Sequence, residues 1–162
     1  MSLDNFDLAQ FLNQQYLCQS LTMKEVEKLL EYTEQVKCHL NDSIANSGEV
    51  GDALYFVIQG EAALFFQDGN REIEVGRMKE GELMGEMSFF DKRPRMVSMR
   101  SMSEMTRLLK LTRAKYDRLR VEYPYIAVNL LEHAIVSLDH LIRRLSSDVA
   151  TFNQYYWTPG RK

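Results

Sequence analysis

Gly81-Glu82-Leu83-Met84-Gly85-Glu86-Met87-Ser88-Phe89-Phe90-Asp91-Lys92-Arg93-Pro94-Arg95-Met96-Val97-Ser98 is the stretch that decides this chain. It reads as a short helix starting near Gly85, set between strands. The first N–H groups of a helix have no carbonyl partner, and with the positive dipole end they form an anion site. Gly85 allows close backbone approach, and Ser88 is small enough to leave room for an oxygen. Glu86 presents an acceptor pair suited to a ribose hydroxyl. Arg95, after Pro94 in a constrained turn, offers a guanidinium fork suited to a phosphate. Taken singly, these residues also fit plainer roles: a surface arginine paired with an acid, a helix N-terminal charge, an ordinary turn. Together and in this order they describe a sugar-phosphate pocket.

The surroundings are rich in β-structure. From Val36 onward, short apolar runs alternate with Asn41-Asp42, Asn46-Ser47-Gly48, Gly51-Asp52, Gln59-Gly60, Gly76 and Gly81. Strand-like pieces lie at residues 53–58, 62–66, 72–75, 96–102 and 108–111. Asp68-Gly69-Asn70 between Leu64-Phe65-Phe66 and Ile73-Glu74-Val75 is the clearest hairpin. Strands this short and this closely spaced predict a sandwich or barrel rather than a parallel α/β sheet. Helices flank them. Residues 7–15 form one, and Thr22-Met23-Lys24-Glu25 is a capping box opening another, expected to reach about Gln35. Met23, Val26, Leu29, Leu30 and Thr33 make its apolar face.

Thr112 is placed to cap a helix through about Glu122, and Pro124 to open the next, expected to end near Leu145. Its Ala127, Leu131, Ala134, Leu138, Leu141 and Leu145 repeat at heptad spacing, beside a second stripe of Val128, Ile135 and Ile142. One stripe suits the roll and the other a partner, and the heptad seam is the expected dimer contact. Residues 146–162 carry Phe152, Tyr155, Tyr156 and Trp157 and are expected to be weakly structured.

Composition narrows the function classes. The 162 residues suit one domain with a real core. Cys18 and Cys38 make no disulfide framework and read as buried thiols. His39, His133 and His140 form no metal-ligand pattern, and no catalytic motif occurs, so neither a metal site nor an enzyme is expected. No signal peptide and no unbroken apolar run of membrane-spanning length is seen, giving a cytoplasmic expectation. Through Asp91 there are 17 acidic and 6 basic residues, and from Lys92 onward 6 acidic and 14 basic. That basic half suits an anionic ligand or merely solvated surface. About seventeen residues follow Leu145, too few for a helix-turn-helix module, so no direct nucleic-acid contact is expected.

The 85–90 and 94–99 segments resemble, in order, the phosphate-binding cassette of cyclic nucleotide-binding domains, as in catabolite activator protein and the regulatory subunits of cyclic-AMP-dependent protein kinase. Gly51-Asp52-Ala53-Leu54-Tyr55-Phe56-Val57-Ile58-Gln59-Gly60-Glu61 resembles a second family stretch, and Ser20-Leu21-Thr22 its helical entry. The resemblance implies an α+β fold over residues 5–145. A double-stranded β-helix (a jelly-roll-like β-roll, about 36–111) is flanked by N-terminal helices and a long C-terminal helix.

It further implies a cyclic nucleotide ligand, more consistent with cAMP than cGMP, held by Gly85, Glu86, Met87, Ser88, Arg95, Met96 and Val97. Glu86 would take the ribose 2′-hydroxyl and Arg95 the cyclic phosphate. The long helix would lie over the base, with Ser137, Asp139 and His140 as its polar residues there, and would make a homodimer. Met96 and Val97 depart from the small residues usual after the arginine. The bulk of Met96 is expected to narrow the phosphate site. A roll kept only for protein interaction is the competing reading.

Overall fold

The computed structural model describes residues 5–157. Helix α1 (Asn5–Gln14) and a short 3-10 turn (Tyr16–Cys18) lead into α2 (Met23–Glu31). The capping box forms as expected: Thr22 Oγ1 accepts from Glu25 N, and the Glu25 carboxylate accepts from Thr22 N. Val26 and Leu29 are buried, with Met23 and Leu30 partly so. The helix stops at Glu31, short of Gln35, because the chain from Glu34 to His39 becomes strand β1, paired along its whole length with β8 (Met105–Thr112). Six residues of ladder bonding, with Val36 packed inside, outweigh one more helical turn.

Eight strands form two antiparallel sheets. β1, β8, β3 (Ala53–Gln59) and β6 (Leu83–Met84) make one; β2 (Ser43–Ala45), β7 (Val97–Ser101), β4 (Ala62–Asp68) and β5 (Arg71–Met78) make the other. The β4–β5 hairpin closes at Gly69-Asn70, where Gly69 takes φ 59°. Asn41, in the turn between β1 and β2, adopts φ 69°, a left-handed conformation that asparagine tolerates. Strand β3 shows how the layers stack. Leu54, Phe56 and Ile58 enter a core shared with the helices, while Ala53, Tyr55 and Val57 enter the core between the sheets. A strand buried on both faces reads as an unbroken apolar run. Both cysteines are buried, and burial pushes the Cys18 thiol up to about 12.

Thr112 caps α4 (Arg113–Glu122) by accepting from Lys115 N. Tyr123 then takes φ −137°, ψ 69°, outside the helical region that a following proline disfavours, and Pro124 opens α5 (Pro124–Trp157). Helix α5 does not end near Leu145: the segment expected to be weakly structured continues it to Trp157. Between Pro124 and Pro159 the sequence contains neither proline nor glycine, so nothing local stops the helix.

The seam expectation is also corrected. Ala127 and Ala134 belong to the domain core and Leu131 packs against it, whereas Val128, Ile135, Ile142 and Val149 are exposed. The roll covers the seam's first half, and the neighbouring stripe is left exposed. By averaged hydropathy, residues 124–151 are long and apolar enough to cross a membrane. Ile126, Ala127, Leu130 and Ala134 nevertheless sit in the domain core, and Asn129, Glu132, Asp139 and Arg143 interrupt the apolar positions.

Candidate functional site

The site is assembled by α3 (Glu86–Asp91) and the loop that returns the chain to β7. Gly85 is the N-cap residue, at φ 88° and ψ 4°, a left-handed conformation in which side chains are strained. A Cβ there would also lie 3.3 Å from Ala53 O and 3.4 Å from Arg95 Nη1. Glu86, Met87 and Ser88 supply the opening helical amides. Lys92, at φ 58°, ends the helix. Pro94 then bridges to Val50, while Arg95 N donates to Glu49 O at 2.8 Å and Gly48 N donates to Arg95 O at 2.8 Å. The arginine's backbone is thereby clamped against the Gly48–Gly51 loop.

Arg95 itself is only 8% exposed. Among the described residues, none forms a hydrogen bond or ion pair with its guanidinium. Its Nη2 would lie 2.8 Å from a Cβ built on Gly51, and its positive charge opposes the rise in the Glu86 pKa. A largely buried guanidinium with no protein acceptor is left available to an anion. Glu86 is 9% exposed. Burial raises its carboxyl pKa, opposed by its own backbone N–H, by Ser137 and by Arg95. Ser137 Oγ, from α5, donates to Glu86 Oε1 at 3.0 Å.

The Ser88 hydroxyl does not stand open for a ligand: it accepts from Gly51 N at 2.6 Å and donates to Arg93 O, stapling the loops around α3. Its backbone amide remains at the helix opening. Met96 is 69% exposed, so its thioether leaves the phosphate site unfilled, and Val97 is half-buried at the start of β7. Met87, on α3, is exposed.

Gly51 and Arg113 were missed as site residues, although Gly51 lies in the quoted 51–61 stretch. A Cβ on Gly51 would meet Arg95 Nη2 at 2.8 Å and both Phe89 N and Ser88 Cβ at 3.0 Å, so glycine is required for the loop to touch α3. Arg113 donates to Gly51 O at 2.6 Å and lies 4.5 Å over the Phe89 ring. Phe89 and Phe90 pack edge-on against Tyr116. The cassette is thus joined to α4 through aromatic contacts and to α5 through Ser137. A cavity of about 540 Å³ lies elsewhere, beside α2 and β1, but Glu27 and Glu31 line it, which does not suit a phosphate.

Comparison with known proteins agrees with this geometry. Residues 35–123 match the family described as cyclic nucleotide-binding domain. The chain is 32% identical over 109 residues to a cAMP-dependent protein kinase regulatory subunit of Emericella nidulans, covering 67% of this chain and 26% of that one. It is 34% identical over 115 residues to the cyclic AMP receptor protein of Thermus thermophilus, covering 70% of this chain and 53% of that one. The matches therefore span about a quarter and about half of these relatives' lengths.

Among solved structures, Thermus thermophilus catabolite activator protein superposes with TM-score 0.71 at 31% identity, covering 85% of this chain and 63% of that one. A cyclic nucleotide-binding domain from Methylobacillus flagellatus superposes with TM-score 0.78 at 21% identity, covering 96% and 85%, a likeness of fold. On the family match, the sequence identities and the shared β-roll, the chain belongs to the cyclic nucleotide-binding domain family.

Proposed function

We propose that this protein is a non-enzymatic regulatory module that binds cAMP between α3, the Arg95 loop and α5, and reports it through α5 as a homodimer. The observation that carries the reading is Arg95: a buried guanidinium, clamped by its backbone and without a hydrogen-bonding or ion-pairing partner among the described residues. A cyclic phosphate accepting from that fork and from the α3 amides supplies the missing acceptors. Glu86 then takes the ribose 2′-hydroxyl, with Gly85, Met87, Ser88, Met96 and Val97 forming the backbone and rim. Met96 stands where cyclic-GMP-binding members tend to carry threonine, which favours cAMP.

The competing reading, a roll used only for protein interaction, is supported by the covering of Glu86 and by the exposed stripe on α5. Calorimetry of the full chain with cAMP, cGMP and AMP separates the two. Saturable binding with cAMP tightest is expected, and absence of binding to all three selects the interaction module.

A further inference from the structure

The carboxylate assigned to ribose recognition already accepts a hydroxyl in this structure. Ser137 Oγ donates to Glu86 Oε1 at 3.0 Å, and Glu86 is almost fully covered. This is chemically the same hydrogen bond that a ribose 2′-hydroxyl makes to a carboxylate. We infer that Ser137 is an internal substitute for the ribose hydroxyl, holding α5 shut over the pocket until a nucleotide displaces it. This inference rests on the reading of Glu86 as the ribose contact and adds how that contact is regulated.

The position of Ser137 along α5 supports a releasable contact. The root of the helix is held independently. Asn129 Nδ2 donates to Leu17 O at 2.5 Å, Ser20 donates to Asn129 Oδ1, and Ile126, Leu130 and Ala134 sit in the domain core. Ser137 lies one turn beyond Ala134, and from Ile142 to Thr151 every described residue is exposed. The contact therefore falls where α5 leaves the roll. Breaking it frees the outer helix without dismantling the root.

A buried carboxylate stripped of its donor is costly, so Glu86 favours whichever hydroxyl is present. The closed arrangement thus competes with ligand, and apparent affinity is lowered by the fraction of molecules held shut.

Ser137→Ala, Ser137→Thr and wild type, all as full chains, test this by two measurements. Without nucleotide, amide hydrogen exchange around residues 137–145 should accelerate in Ser137→Ala and stay at the wild-type level in Ser137→Thr, which keeps the hydroxyl. By calorimetry, Ser137→Ala should bind cAMP about three- to tenfold more tightly, as loss of one competing hydrogen bond predicts. Unchanged exchange in Ser137→Ala overturns the closure. Equal or weaker cAMP binding by Ser137→Ala overturns the competition, weaker binding making Ser137 a ligand contact. Failure of wild type and variants alike to bind any nucleotide overturns the pocket reading itself and the displacement with it.

Discussion

Arg95 and Glu86 differ in what surrounds them, and their variants should differ accordingly. A charge-assisted hydrogen bond is worth about 1.5–3 kcal/mol, and ~1.4 kcal/mol is a factor of ten in affinity. Arg95→Ala should therefore weaken cAMP binding at least about tenfold by calorimetry, and unchanged affinity would remove Arg95 from the site. Glu86 is predicted through its titration. Burial raises its pKa in the folded protein, so the native state holds that proton more tightly than the unfolded chain does. The stability that Glu86 contributes is then fully present below the ordinary carboxylate value and is lost as pH rises through the raised one. Glu86→Gln should flatten that decline, read as urea-unfolding midpoints across acid pH, and should discriminate less between cAMP and its 2′-deoxy analogue. Gly51 is a third case. Its Cβ would strike Arg95, Ser88 and the Phe89 backbone, so Gly51→Ala should cost about 1–3 kcal/mol of stability as an overpacked site. It should also weaken nucleotide binding by displacing the guanidinium, whereas Met96→Ala, at an exposed position, should leave stability within about 0.5 kcal/mol of wild type.

At the scale of elements, local chemistry made some boundaries readable and long-range pairing hid others. The Thr22–Glu25 capping box, the Thr112 cap, Pro124 and the Gly69 turn are each satisfied by residues within three or four positions, and each stands where the sequence put it. Thr22→Ala should accordingly cost about 0.5–2 kcal/mol in urea unfolding while leaving cAMP affinity unaltered, since the cap lies away from the cassette. The end of α2 is hidden because its competitor is distant: Thr33 continues the helical period, but Glu34 and Gln35 find β8 about seventy residues on. The length of α5 was misread for the opposite reason, polar composition being mistaken for a stop when no helix breaker was present. In the site, the order of Gly85, Glu86, Pro94 and Arg95 was legible. The use of the Ser88 hydroxyl, the closeness of Gly51 to Arg95 and the exposure of Met96 depend on how the Gly48–Gly51 loop folds back, which spacing along the chain does not reveal.

For the whole molecule the decisive feature is α5, whose 34 residues extend about 51 Å at ~1.5 Å per residue while the roll covers only its root. Val128, Ile135, Ile142 and Val149 recur every seven residues and are exposed, each of the first three followed three residues later by Leu131, Leu138 or Leu145. β-Branched residues at one heptad position with leucine at the next favour a parallel two-stranded coiled coil. Because Leu131 packs on the domain core, the free part of this seam begins at Ile135. Two copies meeting there generate a two-fold axis, the usual closure for a self-complementary patch. Ile135, 66% exposed and central, is the sharper test than Leu138, which is half-buried on its own domain. Ile135→Glu would face its own copy across the axis and should give a monomer with unchanged circular dichroism. Wild type should sediment as a dimer in the micromolar range. Since α5 also covers Glu86, dimer affinity and cAMP affinity must shift each other by the same factor. Sedimentation velocity with and without cAMP reads that factor directly, and a wild-type monomer in both conditions would leave the stripe as plain surface and end the dimer.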